Sequence, residues 1–270
     1  MVDMRGRVLI IAGSDSGGGA GIQADIKTVT ALGGFAMTAI TALTAQNTQG
    51  VHGVHEVPAD FVRNQIEVVL NDLGADCIKI GMLHRPEIIT TVIDALRDLA
   101  PDVPVVADPV MIAKGGASLL ADEAQDALKT KLLPMATLMT PNIPEAEVLS
   151  GRSIRSLEHM RDAAEELLAS GSRAVFLKGG HMDDPDNVTD LLLENGSEAE
   201  TFTAPRIATS NTHGTGCTVA SAIACGIAQG LSIRAAIIRA RAYVRDAIAQ
   251  NPELGTGHGP LNHAVTVREF

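Results

Sequence analysis

Val8-Leu9-Ile10-Ile11-Ala12, followed at once by Gly13-Ser14-Asp15-Ser16-Gly17-Gly18-Gly19-Ala20-Gly21, is the stretch on which the fold turns. A short apolar run rich in branched side chains, closed by turn residues, reads as a strand buried on both faces. The amphipathic stretch Ala20–Leu32 then reads as a helix. Strand, glycine-rich loop and helix are the opening of a parallel β/α unit.

The same alternation continues outward. Phe35–Leu43, Cys77–Ile80, Val103–Ala107, Leu138–Thr140 and Ala174–Leu177 are further candidate strands. Phe61–Leu73, Glu87–Leu99, Ala121–Leu132 and Leu157–Ala169 carry helical patterns between them. This predicts an α/β fold with a mostly parallel sheet covered on both faces. Near Val188–Leu193 and Thr201–Thr203 the rhythm changes, and Glu194-Asn195-Gly196 supplies a hairpin turn. Two alanine-rich helices are expected at Thr215–Gln229 and Ile233–Gln250, and Leu254–His263 reads as a loop. No linker, repeat or low-complexity block divides the 270 residues, so one domain over 1–270 is expected.

Composition narrows the function. The net charge of −11 disfavours nucleic acid as a partner. No apolar run approaches the roughly 20 residues of a membrane span. With no signal-peptide pattern at the N-terminus, the expected location is the cytoplasm. The three cysteines, Cys77, Cys217 and Cys225, form no CxxC and suit a reducing compartment. His52 and His55 read as exposed loop residues rather than metal ligands.

In a parallel sheet, ligands collect beyond the carboxyl ends of the strands. Five glycines in the nine residues Gly13–Gly21 exceed what a turn needs. The Gly19-x-Gly21-x-x-Ala24 spacing imitates a dinucleotide fingerprint, but the glycines come late after the strand and the next strand ends without a ribose-binding acid. No Gly-Lys-Ser/Thr follows to make a P-loop. A flexible substrate loop with Asp25 one turn into the helix remains. Gln46 follows the second strand and offers a paired donor and acceptor to a heterocycle. Met82 is core filler or an apolar wall. Asp108, at a strand terminus before Pro109, is a Mg²⁺-shell position or a turn aspartate. Asn142 and Glu145 are spaced either as a phosphate and metal pair or as a helix capping box. Lys178 before Gly179-Gly180 suits a nucleotide phosphate.

The most specific element is Asn211-Thr212-His213-Gly214-Thr215-Gly216-Cys217-Thr218, which opens a helix. Successive amides at a helix N-terminus form an anion hole, and Gly214 and Gly216 let an anion come close. Phosphoryl transfer needs such charge stabilisation more than covalent chemistry. In the first turn, Cys217 lies where a helix dipole can lower a thiol pKa from ~8.5 to ~3.5–7.5. A base, a covalent nucleophile and an inert small residue all stay open for it.

Seven ordered motifs carry a resemblance: Ala12–Asp25, Thr41–Thr48, Lys79–Leu83, Asp108–Met111, Thr140–Ala146, Lys178–His181 and Asn211–Thr218. Together they resemble the ribokinase superfamily and, within it, the hydroxymethylpyrimidine/phosphomethylpyrimidine kinases, from Val8 to about His263. The resemblance implies a three-layer α/β/α fold with a small β lid or hairpin. It implies ATP-dependent phosphorylation of 4-amino-5-hydroxymethyl-2-methylpyrimidine and then of its phosphate, for thiamine diphosphate, with Mg²⁺ as cofactor. Gly13, Asp25, Gln46 and Met82, with Val110 and His213, would hold the aminopyrimidine. Asp108 and Glu145 would serve the metal, and Asn142 and Lys178 the triphosphate. Gly214, Thr215, Gly216 and Cys217 would form the anion hole, with Cys217 nearest the substrate oxygen. The wider superfamily generally has aspartate there, whereas cysteine agrees with the pyrimidine-kinase branch. Some pyridoxal-phosphorylating relatives look similar, so a pyridoxal or dual-substrate kinase is the enzyme alternative. A ligand-binding regulatory protein on a kinase scaffold is the other. The superfamily often pairs through lid strands, which makes a homodimer through Val51–Val57 the expectation.

Overall fold

A computed structural model describes residues 5–111, 119, 121 and 124–267. The opening stretch forms strand β1 (Arg7–Asp15) and helix α1 (Gly21–Ala31). Then come β2 (Phe35–Asn47), β3 (Gly50–Glu56), α2 (Ala59–Asp72), β4 (Cys77–Ile80), α3 (Pro86–Leu99) and β5 (Val105–Ala107). The second half holds α4 (Ala124–Ala127), β6 (Leu138–Met139), α5 (Ile143–Ser150), α6 (Leu157–Ala169) and β7 (Ala174–Leu177). β8 (Asn187–Glu194), β9 (Glu200–Pro205), α7 (Thr215–Ala228) and α8 (Ile233–Ala249) complete it.

The nine strands form one sheet in the order β3-β2-β1-β4-β5-β6-β7-β8-β9. Pairings from β2 through β7 are parallel, while β3, β8 and β9 join antiparallel. The expected three-layer architecture is therefore present. Alternation along β1 explains it. Val8, Ile10 and Ala12 pack toward α7 and α8, among Ile223, Ala224 and Ala236. Leu9 and Ile11 face the other layer, with Ile66, Ile89 and Ile93. One apolar run thus serves two cores, as a strand buried on both faces must.

Three local readings are corrected. β2 continues to Asn47, so Thr44 and Gln46 are strand residues whose positions are set by pairing. The segment Gly50–Glu56, read as a loop around His52 and His55, is an edge strand. Its central residues are exposed on both faces, so no apolar alternation marks it. His52 and His55 are both exposed on this strand, and His52 is the extra residue where the β2–β3 register shifts. The expected helix Ala121–Leu132 includes Asp122 and Glu123, which lie outside the described residues. From Ala124 it is one α-turn that widens into a π-helical stretch, Leu128–Leu132, and tightens into a 3₁₀ turn carrying Pro134.

The fully buried Leu96 of α3 anchors the layer beneath β1 and β4. Leu96→Ala is expected to cost about 2–5 kcal/mol, read as a lower urea midpoint at unchanged m-value.

Candidate active site

The carboxyl ends of β1, β2, β4, β5, β6 and β7 open into a cavity of about 820 Å³. Strand order arranges its wall. Gly13 lies near the end of β1, Gln46 near the end of β2 and Met82 beyond β4, whereas Asn142 and Lys178 follow β6 and β7 and Val188 opens β8. Helix α7 packs over β1, β4 and β5, so its N-terminal turn lies between these two groups. Gly214, Thr215, Gly216 and Cys217 all line the cavity.

The backbone of that turn requires glycine. Gly214 has φ +80°, and a Cβ there would overlap the Gly19 carbonyl oxygen. Gly216 is open for another reason. A Cβ on it would lie 3.3 Å from Lys178 Nζ and 3.5 Å from Asp108 Oδ2. The helix N-terminus, a lysine ammonium and a carboxylate therefore converge on one small space. Partial positive charge from the amides, added to Lys178, suits an anion there.

Lys178 donates to Asp108 Oδ1 at 2.7 Å, and Thr140 Oγ1 donates to the same oxygen at 3.1 Å. Burial works against the Lys178 ammonium, but Asp108 and Glu145 beside it hold its pKa above the ordinary lysine range. Asn142 and Glu145 form a true capping box. Glu145 N donates to Asn142 Oδ1 at 2.9 Å, and Asn142 N donates to Glu145 Oε2 at 2.8 Å. Both also line the cavity, so the two readings of their spacing coexist. Burial pushes the Glu145 carboxyl up to about 7, aided by Asp108 and opposed by Lys178.

At the other end, the single Thr44 hydroxyl proton is shared between Ser14 O at 2.8 Å and Gln46 Oε1 at 3.1 Å. Gln46 Nε2 lies 3.4 Å from His213 Nε2, which in turn is 2.8 Å from Asp15 Oδ2. Met82 and Val110 supply apolar wall.

Two site expectations change. Asp25 is fully buried and absent from the cavity wall. It accepts from Lys79 Nζ at 2.8 Å and from Ser221 Oγ at 2.7 Å, and Lys79 lines the cavity in its place. Burial opposes the Lys79 charge, yet Asp25, Cys217 and Asp108 raise its pKa above the ordinary range. Cys217 moves opposite to a dipole-activated thiolate. Burial pushes the thiol up to about 11, only partly offset by Lys79, so it stands protonated at neutral pH.

Sequence reasoning passed over Asp15, Lys79, Arg241 and Arg245 as site residues. Asp15 and Lys79 lie inside the quoted motifs, but an acid in a glycine loop and a lysine within a strand carry no spacing that announces a partner 198 or 54 residues away. Arg241 and Arg245 line the far end beside Val188, Val219, Val244 and Ile248. Arg206 ties down the Gly180–Asn187 segment through the carbonyls of Gly180, Met182, Asp184 and Asn187 at 2.8–3.3 Å.

A family model described as phosphomethylpyrimidine kinase matches residues 15–262. The chain is 51% identical over 265 residues to a thiamine biosynthesis bifunctional protein of Geobacter sulfurreducens, covering 98% of this chain and 54% of that one. It thus spans about half the length of that relative. It is 49% identical over 257 residues to the hydroxymethylpyrimidine/phosphomethylpyrimidine kinase of Bacillus subtilis, across 95% of this chain and 94% of that one. Among solved structures, the pyridoxal kinase of Staphylococcus aureus in complex with AMP-PCP and pyridoxal matches with a TM-score of 0.88 and 36% identity, over 97% of this chain and 94% of that one.

The buried Lys79–Asp25 pair makes a stability prediction. Lys79→Met strands the Asp25 carboxylate and is expected to cost about 3–5 kcal/mol in urea unfolding. The double variant Lys79→Met/Asp25→Asn should recover part of that loss. Equal losses in both would show that the two groups are not coupled.

Proposed function

The chain belongs to the phosphomethylpyrimidine kinase family, and from that premise we propose that it transfers the γ-phosphoryl group of ATP to 4-amino-5-hydroxymethyl-2-methylpyrimidine and then to its monophosphate. The observation that carries this reading is the convergence on Gly216. Lys178, Asp108 and the α7 amides surround a space that only a missing side chain leaves open. The same cavity is also lined by polar groups of β1 and β2 and by apolar side chains of β8, α7 and α8 with Arg241 and Arg245.

In this account Gln46, Thr44 and His213 face the pyrimidine edge, with Gly13, Met82 and Val110 against the ring. Asp25 supports this end from behind Lys79 rather than by contact. The adenine occupies the end walled by Val188, Val219, Val244 and Ile248, while Asn142 and Lys178 hold the phosphates. Gly214–Cys217 receives the transferring group, whose charge is met by amides and by Lys178 without reorganisation. Cys217 packs beside the acceptor oxygen as a thiol. The second acceptor, a phosphate monoester with pKa near ~6, is already largely ionised and needs little base.

Mg²⁺ fits the donors present. Asp108 spends Oδ1 on Thr140 and Lys178, and its Oδ2 points to the Gly216 space. No cluster of three or more His, Cys, Asp or Glu side chains is poised for a metal among the described residues. That suits a hard cation bound through one or two carboxylates, water and substrate phosphates. Asp108 and Glu145 would hold it, and it would neutralise charge on the phosphates when bound.

Walls drawn from both halves of the chain support one kinase domain over 1–270, and a cytoplasmic location is part of the same proposal. A homodimer through β3 is also proposed. β3 is a sheet edge, and Leu43 and Val54 beside it are 44% and 38% exposed. Sedimentation should show a dimer that Val54→Asp weakens.

A coupled ADP-release assay tests the reaction. The pyrimidine and its phosphate should both turn over, and turnover of pyridoxal alone would replace this reading with that of the S. aureus neighbour. Gly216→Ala should keep the fold, because alanine favours the helix, and lower kcat about 10²–10³-fold by filling the anion space. The Glu145 proton competes with metal. Because its pKa is raised to about 7, affinity is lost as pH falls. The apparent Mg²⁺ Kd at pH 6 should exceed that at pH 8 by roughly ten-fold, and Glu145→Gln should flatten this dependence.

A further inference from the structure

Asp15 is 1% exposed, yet no step above uses it. Its carboxylate gathers the glycine-rich loop. Oδ1 accepts from Gly17 N at 2.8 Å, and Oδ2 accepts from Gly19 N at 3.1 Å and Ala20 N at 2.8 Å. Oδ2 also meets His213 Nε2 at 2.8 Å, from the turn that opens α7. Burial works to raise its pKa, but the His213 bond and the Ala20 and Gly17 amides hold it below the usual carboxylate range.

The loop is welded to β2 as well. Ser16 Oγ donates to Gln46 O, and Gln46 N donates back to Ser16 Oγ, each at 2.9 Å. Helix α1 has no side-chain cap from its own N-cap residue, Ala20. The Asp15 carboxylate binds no amide of the first helical turn but holds the Gly19 and Ala20 amides that lead into it, where a negative charge complements the helix dipole.

The consequence reaches the ligand. A carboxylate only accepts, so the proton on His213 Nε2 belongs to the bond with Asp15. That nitrogen therefore cannot accept from Gln46 Nε2, 3.4 Å away. Gln46 Oε1 lies 3.1 Å from the Thr44 hydroxyl, which shares its one proton between this oxygen and Ser14 O. The Gln46 amide group thus keeps its N–H donors for the cavity, where they match a ring nitrogen acceptor. The geometry points to Asp15 as a positioning residue that fixes the glycine-rich loop and His213 together and keeps Gln46 presented as a donor to the heterocycle. Substrate recognition is then coupled to the transfer turn through one buried carboxylate.

The identity of the heterocycle rests on the proposed function, whereas the latch does not, and the test separates them. Amide hydrogen exchange on the unmodified, ligand-free protein should protect Gly17, Gly19 and Ala20 at least 100-fold over unstructured rates. Less protection overturns the latch whether or not any substrate turns over. In steady-state kinetics, Asp15→Asn should raise KM for the pyrimidine at least ten-fold and leave KM for ATP within two-fold. A smaller rise, or a parallel rise in both, overturns the positioning role. Absence of pyrimidine turnover by the parent protein would instead defeat the functional reading and leave exchange to decide the role of Asp15.

Discussion

A charge buried at the end of a parallel sheet must be answered by an opposite charge or by oriented amides. Two lysines sit in that position. Lys79 is wholly buried and held by Asp25, and Lys178 is held by Asp108. Lys79 reaches the cavity from β4 and Lys178 from the residue just past β7, which is bridged to Asn142. Their partners come from α1 and from the end of β5. The rest of the site is arranged around this pairing, because a cation already neutralised by a carboxylate can still turn its field toward a third, negative group at the Gly216 space.

The fold was legible because its signals are local. Val8–Ala12 is buried on both faces, and Ala174–Leu177 and Cys77–Ile80 match their strands to the residue. The Asn195-Gly196 turn joins β8 to β9, with Gly196 at φ +78°. Edge strand β3 was not legible, since its exposed residues lack alternation. Nor was the widening after α4, where a proline two residues past Leu132 ends a helix whose pattern continues.

Site residues divide along the same line. Those whose role is a backbone requirement, such as Gly214 and Gly216, could be read from spacing. Those defined by distant partners could not. Asp25 looked like a ligand contact because it stands one turn into a helix after a glycine loop, and only tertiary structure reveals Lys79 and Ser221 against it. For Cys217, position left a base, a nucleophile and an inert residue open, and burial of the thiol is the effect that raises its pKa most. In the proposed transfer, charge developing at the acceptor would be met by the glycine turn and the lysines, with the thiol as a neutral neighbour.

The claim that the Gly216 space is where the phosphoryl group transfers is most directly tested with a transition-state mimic. Calorimetric binding of ADP, Mg²⁺ and aluminium fluoride should tighten at least 100-fold when the pyrimidine alcohol is added to the parent protein. The same addition should gain almost nothing in Gly216→Ala. No enhancement in the parent, or an undiminished enhancement in Gly216→Ala, would contradict the account.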